Sequence, residues 1–331
     1  MPALSLHNLP LVVLALTFGF LNGKNDSANI VAPLIATRAV GYRKALGLAA
    51  VAEGAGPFLF GIAVARTIGS GVVSPAAITP PVIYAALLSA ILWSTVTLLL
   101  GIPSSASHAL VGGLIGAAGI GYGMHTIILR GVLKVVLALF LSPLLGMIVG
   151  YCAVRLMYLL ASHASPRVNR WFKRGQLIAA IALGLAHGSN DGQKTMGLIT
   201  LGLLATGDLD RFEVPFWVIA ASAAAMAGGT LFGGRRTIRT VGHKFFRIRP
   251  VHGFGAQAAS SAVILCAALF GGPVSTSHVV SSSLVGAGSA DRMRMVRWGV
   301  AERIALSWFV TIPSAASLAM VVYIVLRPIM H

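Results

Sequence analysis

Two stretches of this chain set a carboxamide and a carboxylate side by side within apolar sequence. Asn25 and Asp26 lie in GFLNGKNDSANIVA, residues 19–32, and Asn190 and Asp191 lie in GLAHGSNDGQKTMG, residues 184–197. Gly23, Asn25 and Asp26 match Gly188, Asn190 and Asp191 at a constant offset of 165. A carboxylate inside a membrane segment is costly unless it faces the bundle interior, a partner or a cavity. Two copies therefore predict one site built from two halves. A second duplicated element supplies hydroxyls: GIPSSASHALVGGLIGAAG, residues 101–119, and GGPVSTSHVVSSSLVGAGSAD, residues 271–291. At an offset of 170 it matches Pro103 with Pro273, Ser105 with Ser275, Ser107 with Ser277, His108 with His278 and Gly116 with Gly286.

The chemistry these groups suit is oxyanion binding. Ser104, Ser105, Ser107, Ser275, Thr276 and Ser277, with the amides of Asn25 and Asn190, are short donors that can replace an anion's hydration shell, although hydrogen bonding between helices is the alternative use of such hydroxyls. Asp26 and Asp191 repel an anion unless a cation or proton intervenes, so the pattern predicts ion coupling. Either Na⁺ sits between carboxylate and anion, held by Asp oxygens, backbone carbonyls and Asn side chains, or the Asp carries a transported proton. A structural Asp capping a half-helix remains open at each position. Glu53 is a further intramembrane acid assigned to coupling; at the 170 offset its counterpart is Ala223, so one half alone supplies it. His108 and His278 suit a proton-linked step or a satisfied core position. Lys24 and Lys194 border the motifs, where they could attract an anion or partner the aspartates, and Gln193 adds an amide. No cofactor and no dedicated metal site are predicted.

The elements that must hold these residues are membrane spans. The chain of 331 residues is 56% hydrophobic and 10% charged, with a mean hydropathy of +0.86, which excludes an ordinary soluble protein. Apolar runs near residues 9–20, 45–65, 82–100, 132–154, 178–204, 215–231, 251–269 and 304–326 are mostly of spanning length. The first run has no Lys or Arg before Lys24 and no small-residue cleavage signal after it, so it is read as a retained span. The Asn-Asp stretches predict helices interrupted at residues 23–29 and at the matching residues of the second copy, because irregular backbone at membrane depth lines a cavity or is buried in protein. Cys152 and Cys266 fall in apolar runs without CxxC or His spacing and are read as free, buried thiols.

Charge sets the topology. The formal net charge is +17, but the arginines gather in loops as cytoplasmic loops require, so no nucleic-acid partner is expected. The loop after the first Asn-Asp motif is basic, whereas the loop after the second holds Asp208, Asp210 and Glu213 with one Arg. Equivalent loops thus face opposite sides. Ten crossings with both termini outside place 18 of the 25 Lys and Arg in inside loops and 4 in outside loops, leaving Lys24, Lys134 and Lys194 within segments. The reading is an all-α polytopic membrane protein of two inverted-topology repeats, about five segments each, with broken helices or re-entrant hairpins at the midplane. Residues 1–154 form the first repeat, 155–176 a basic cytoplasmic linker and 177–331 the second repeat. The lipid bilayer is a partner by this reading, and a homodimer is the candidate assembly.

Taken together, the four motifs resemble those of the inorganic phosphate transporter (PiT) family of secondary carriers, over nearly the whole chain. The compact size is similar to bacterial low-affinity members. The resemblance implies inorganic phosphate as substrate, alone or as a neutral metal-phosphate complex, and symport with H⁺ or Na⁺ across a bacterial cytoplasmic membrane. It implies that Asp26, Asn25, Asp191 and Asn190 line the central site while Ser105, Ser107, Ser275, Thr276 and Ser277 donate to phosphate oxygens. Ser277 stands where Thr is common, a change that keeps the donor, and Ala223 where a polar residue is frequent, so the two ion sites are not expected to be equivalent. A sulfate or other oxyanion permease of the same fold is the alternative. An intramembrane hydrolase with Ser107 or Ser277 as nucleophile is the remote one, since no G-x-S-x-G elbow is present. A channel suits duplicated carboxylates around a closed site less well.

Overall fold

The computed structural model describes residues 8–100, 105–165, 167–233, 238, 248–291 and 293–330. Among these the chain forms eleven α-helices and no strand beyond one isolated bridge, Val73 with Ile127. They are α1 (Leu9–Ala36), α2 (Tyr42–Leu59), α3 (Ala63–Ser70), α4 (Pro80–Leu100), α5 (Ala106–Tyr122), α6 (Leu129–Leu160), α7 (Val168–Ala205), α8 (Phe216–Leu231), α9 (Pro250–Leu269), α10 (Thr276–Ser289) and α11 (Trp298–Leu326). By length and composition α4, α6, α9 and α11 can each cross a membrane, and α2 with α3 counts as a fifth span bent by 77°. The basic stretch 155–176 is helical at both ends, α6 running to Leu160 and α7 starting at Val168.

The helix interruptions fall elsewhere than the sequence reading placed them. Both Asn-Asp motifs lie inside continuous helices, α1 of 28 residues and α7 of 38. Their polar side chains recur on one face and bond across to other helices, so the backbone keeps its own ladder and no break is required. The break in the first half sits instead at residues 60–62, where Gly61 takes a φ of +75°, a left-handed conformation that costs a glycine little. The hydroxyl elements do begin helices: Ser105 is the N-cap of α5 and Ser275 that of α10. Pro103 and Ser104 lie outside the described residues.

Helices α1 and α7 cross antiparallel. Asn8, preceding α1, donates to Thr206 Oγ1 at 2.7 Å and to Asp208 Oδ2 at 2.6 Å beyond the end of α7, while Thr37 at the other end of α1 donates to Gln176 Oε1 at 2.8 Å. Two apolar cores flank this crossing. Leu11 to Phe18 of α1 share one with Met196 to Leu203 of α7, and Ala28 to Leu34 share the other with Ala180 to Ala186. The polar residues 22–29 and 187–194 lie between the two cores.

Cross-packing follows an exchange rule. Helix α1 packs on α8 and α7 on α2; α5 packs on α11 and α10 on α6. The contacts are backbone-close, as small residues allow. A Cβ on Gly23 would lie 2.2 Å from Met226 O, and one on Gly188 would lie 2.0 Å from Glu53 O. Likewise a Cβ on Gly229 would meet Phe20 O at 2.0 Å, and one on Gly56 would meet Leu185 O at 2.2 Å. The register this sets between α2 and α8 is 173, from Glu53 to Met226 and Gly56 to Gly229. Packing therefore pairs Glu53 with Met226 rather than with Ala223, and its counterpart is apolar in either register. Cys152 and Cys266 are free thiols, as the sequence suggests, but they are exposed on α6 and α9 rather than buried.

Candidate functional site

Each long helix presents three polar side chains at positions i, i+4 and i+7, which share one face at 3.6 residues per turn. On α1 they are Asn22, Asp26 and Asn29; on α7 they are His187, Asp191 and Lys194, each 165 residues later. The antiparallel crossing interleaves them. Asn22 Nδ2 donates to Asp191 Oδ2 at 2.9 Å, and His187 Nε2 lies 3.5 Å from Asp26 Oδ2 and 3.5 Å from Asp191 Oδ2. The two aspartates, one from each half of the chain, thus flank a single imidazole.

The N-terminus of α10 closes one side. Thr276 Oγ1 donates to Asp191 Oδ2 at 2.9 Å and reaches Asp26 Oδ2 at 3.3 Å, and Ser277 Oγ donates to Asp26 Oδ1. Asn29 Nδ2 bonds both Asp26 Oδ1 and Ser277 Oγ at 3.1 Å. Around Asp191 the arrangement is parallel but cationic: Lys194 Nζ donates to Asp191 Oδ1, to Ser107 Oγ at 2.6 Å and to Val274 O at 2.8 Å. Val274 belongs to the buried, non-helical stretch before α10, whose carbonyls also take up Asn190, bonded to Gly272 O at 3.0 Å. Irregular backbone is tolerated there because side chains of α7 satisfy it.

Helix α2 adds a third acid from behind. Glu53 Oε1 lies 2.6 Å from His187 Nδ1, and Thr230 of α8 donates to Glu53 Oε2. Both Glu53 and His187 are fully buried. Gly188, beside His187, is what lets α2 approach closely enough for this contact.

The structure brings Asp26, Asp191, Glu53, Ser107, Thr276 and Ser277 into one cluster. Asn190 lies at its edge. Asn25 is half-buried on α1, Ser275 is buried at the N-cap of α10, and Ser105 accepts from His108 N at 3.3 Å as the cap of α5. Ser104 lies outside the described residues. His108 and His278 form a separate buried pair, ring centroids 5.1 Å apart, with Phe140 edge-on to His108 at 6.0 Å. Lys24 is exposed, whereas Lys194 is buried and pairs with Asp191. Gln193 accepts from Val64 N at 2.8 Å and Ala65 N at 3.2 Å, tying the start of α3 to α7. Motif reading passes over Asn22, Asn29, His187 and Thr230; the repeated i, i+4, i+7 spacing is the signal that marks the first three.

Asp26, His187 and Asp191 each offer a ligand atom, all within 4.8 Å of one another, a donor set that fits a small cation. Around it hydroxyls and amides are oriented by carboxylates. The family model described as "Phosphate transporter family" matches residues 22–319. The chain belongs to the phosphate transporter family. Among its relatives, a "Probable low-affinity inorganic phosphate transporter" of Rhizobium meliloti (strain 1021) is 40% identical over 315 residues, covering 95% of this chain and 94% of the relative. One of the same description from Bacillus subtilis (strain 168) is 38% identical, covering 99% and 100%. A solved structure described as "The sodium-dependent phosphate transporter" superposes with a TM-score of 0.88 at 25% identity, covering 97% of this chain and 98% of that one. This phosphate transporter family member is therefore a multi-pass integral membrane protein and not an enzyme. Ser107 bonds Lys194 and Val274 O, and Ser277 bonds Asp26.

Proposed function

We propose that this protein is a secondary active symporter of inorganic phosphate in a bacterial cytoplasmic membrane, driven by H⁺ or Na⁺ through alternating access. The observation that carries the reading is the shared position of Asp26 and Asp191, bridged by Thr276 and His187 within a buried cluster of donors. Acids so placed admit an anion only with compensating cations. Phosphate binding falls to Ser107, Ser275, Thr276 and Ser277 with Asn25 and Asn190, Ser104 and Ser105 joining from the first hydroxyl element; coupling falls to Asp26, Asp191 and Glu53. The antiparallel crossing of α1 and α7 and the exchanged packing partners support two inverted halves, residues 1–154 and 177–331, that rock about the cluster.

Uptake of labelled phosphate into proteoliposomes, under separately imposed Na⁺ and H⁺ gradients with and without Mg²⁺, tests it. Saturable uptake that follows one ion gradient is the expected result, and uptake indifferent to both gradients overturns symport. The Mg²⁺ arm addresses a metal-phosphate cargo, which the Asp26, His187 and Asp191 ligand set would accommodate. Excess sulfate in the same assay decides the oxyanion: it leaves phosphate uptake unchanged if phosphate is the substrate, and suppresses it if the carrier accepts sulfate.

A further inference from the structure

Among the differences between the two halves of the cluster, the one between Asn29 and Lys194 bears on how many cations move. Asn29 and Lys194 are equivalent at the 165 offset, and Ser277 and Ser107 at the 170 offset. Asn29 bonds Asp26 and Ser277; Lys194 bonds Asp191 and Ser107. One interaction pattern is thus drawn twice, with a neutral amide in the first half and an ammonium in the second. An ammonium has three donors, and the contacts to Asp191, Ser107 and Val274 O use all three. The pair is sealed, with side-chain exposures of 1% for Lys194 and 2% for Asp191, against 13% for Asp26.

Charge bookkeeping points the same way. Lys194 neutralises Asp191. Glu53 and His187 lie 2.6 Å apart, so one proton shared between them leaves that pair neutral whichever group carries it. Asp26 remains, facing His187, Thr276, Ser277 and Asn29, and among the described residues no Lys or Arg pairs with it. An uncompensated charge in a low-dielectric interior is what a bound cation relieves.

We propose that Lys194 is a resident counter-cation that fills, in the second half, the place an exchangeable cation takes in the first, so that the cluster binds a single transported cation, at Asp26. This rests on the symport reading above, and it divides the roles of two acids that the sequence presents as equals. The family member keeps both motif aspartates in its site but binds the transported cation at one of them.

The test is thermodynamic, in proteoliposomes clamped at zero membrane potential. At zero net flux the phosphate gradient equals the imposed gradient of the driving ion raised to a power, and that power counts the exchangeable ions. Lys194→Asn opens the second position and raises the power by one, so a tenfold ion gradient sustains a phosphate gradient about tenfold steeper than the native protein does. Asn29→Lys installs the same ammonium beside Asp26 and lowers the power by one, so gradient-driven accumulation falls by about tenfold at that gradient. Monodisperse elution in detergent identifies variants that remain folded. A folded variant with the native power overturns the proposal. So does a native protein that accumulates phosphate as the square of an Na⁺ gradient at equal pH, a measurement that needs no variant; a first-power dependence or none agrees with it. A native protein that takes up no phosphate at all refutes the transport reading instead.

Discussion

At the scale of single residues, the cluster is a set of carboxylates held apart by donors, and each donor makes a separable prediction. Thr276→Val keeps the side chain's shape but removes the hydroxyl that reaches both aspartates. Phosphate uptake should fall at least about tenfold, the loss of roughly one hydrogen bond to a charged group, while elution in detergent stays native. Asp26→Asn should abolish gradient-driven uptake yet leave the fold intact, because Asp26 has no lysine depending on it. Asp191→Asn differs in kind: it strands the Lys194 ammonium in a buried site, and breaking a buried pair from one side costs about 3–5 kcal/mol. Thermal unfolding in detergent should separate the two, the Asp191 variant melting well below the Asp26 variant; equal melting temperatures would refute the asymmetry. Asp26, Asp191 and the hydroxyls are legible in the sequence because duplication singles them out. His187 and Asn22 are marked only by their repeated i, i+4, i+7 spacing, and what each of them bonds is unknown until the crossing of α1 and α7 is known.

At the scale of elements, glycine placement decides which helices can meet. Gly188 in α7 sits on Glu53 O of α2, and Gly23 in α1 sits on Met226 O of α8. Both neighbours are backbone, which cannot rotate aside, so Gly188→Ala or Gly23→Ala must push two helices apart, at about 1–3 kcal/mol or more. The Gly188 change also withdraws α2 from His187, so uptake should fall along with thermal stability. Gly47→Ala is the control: nothing lies within 4 Å of an added Cβ there, and removing a helix-interior glycine should stabilise by up to about 1 kcal/mol. A Gly188→Ala protein as stable as the native one would mean the close approach is not required. The motif glycines are visible in the sequence, but their use is not: Gly23 and Gly188 look like signs of broken helices, whereas they serve as contact points on continuous ones. The break itself sits at Gly61, in a stretch that gives no duplicated signal. Single glycines in apolar runs do not distinguish a bend from a packing face, because both need only the missing Cβ.

At the scale of the whole molecule, the alternation of helix directions follows from the crossing of α1 and α7 and constrains where the loops lie. Helix α7 spans about 57 Å at 1.5 Å per residue, well beyond a hydrocarbon core of about 30 Å. Its surplus is the basic first turns, with Arg170, Lys173 and Arg174, which the proposed topology puts on the cytoplasmic side, with the far end near Asp208 and Asp210 outside. Because α1 runs antiparallel to α7, its start at Asn8, bonded to Thr206 and Asp208, lies on the same side as the end of α7. Cysteine labelling checks the proposed topology, once Cys152 and Cys266, exposed on the helix surfaces, have been replaced. A Cys at the exposed Asp210 should react with a membrane-impermeant maleimide in intact cells, whereas one at the exposed Arg167 should react only after permeabilisation. Reversed accessibility at both positions would invert the whole arrangement, and labelling of both from outside would place the two ends of α7 on one side, a result incompatible with its spanning the bilayer.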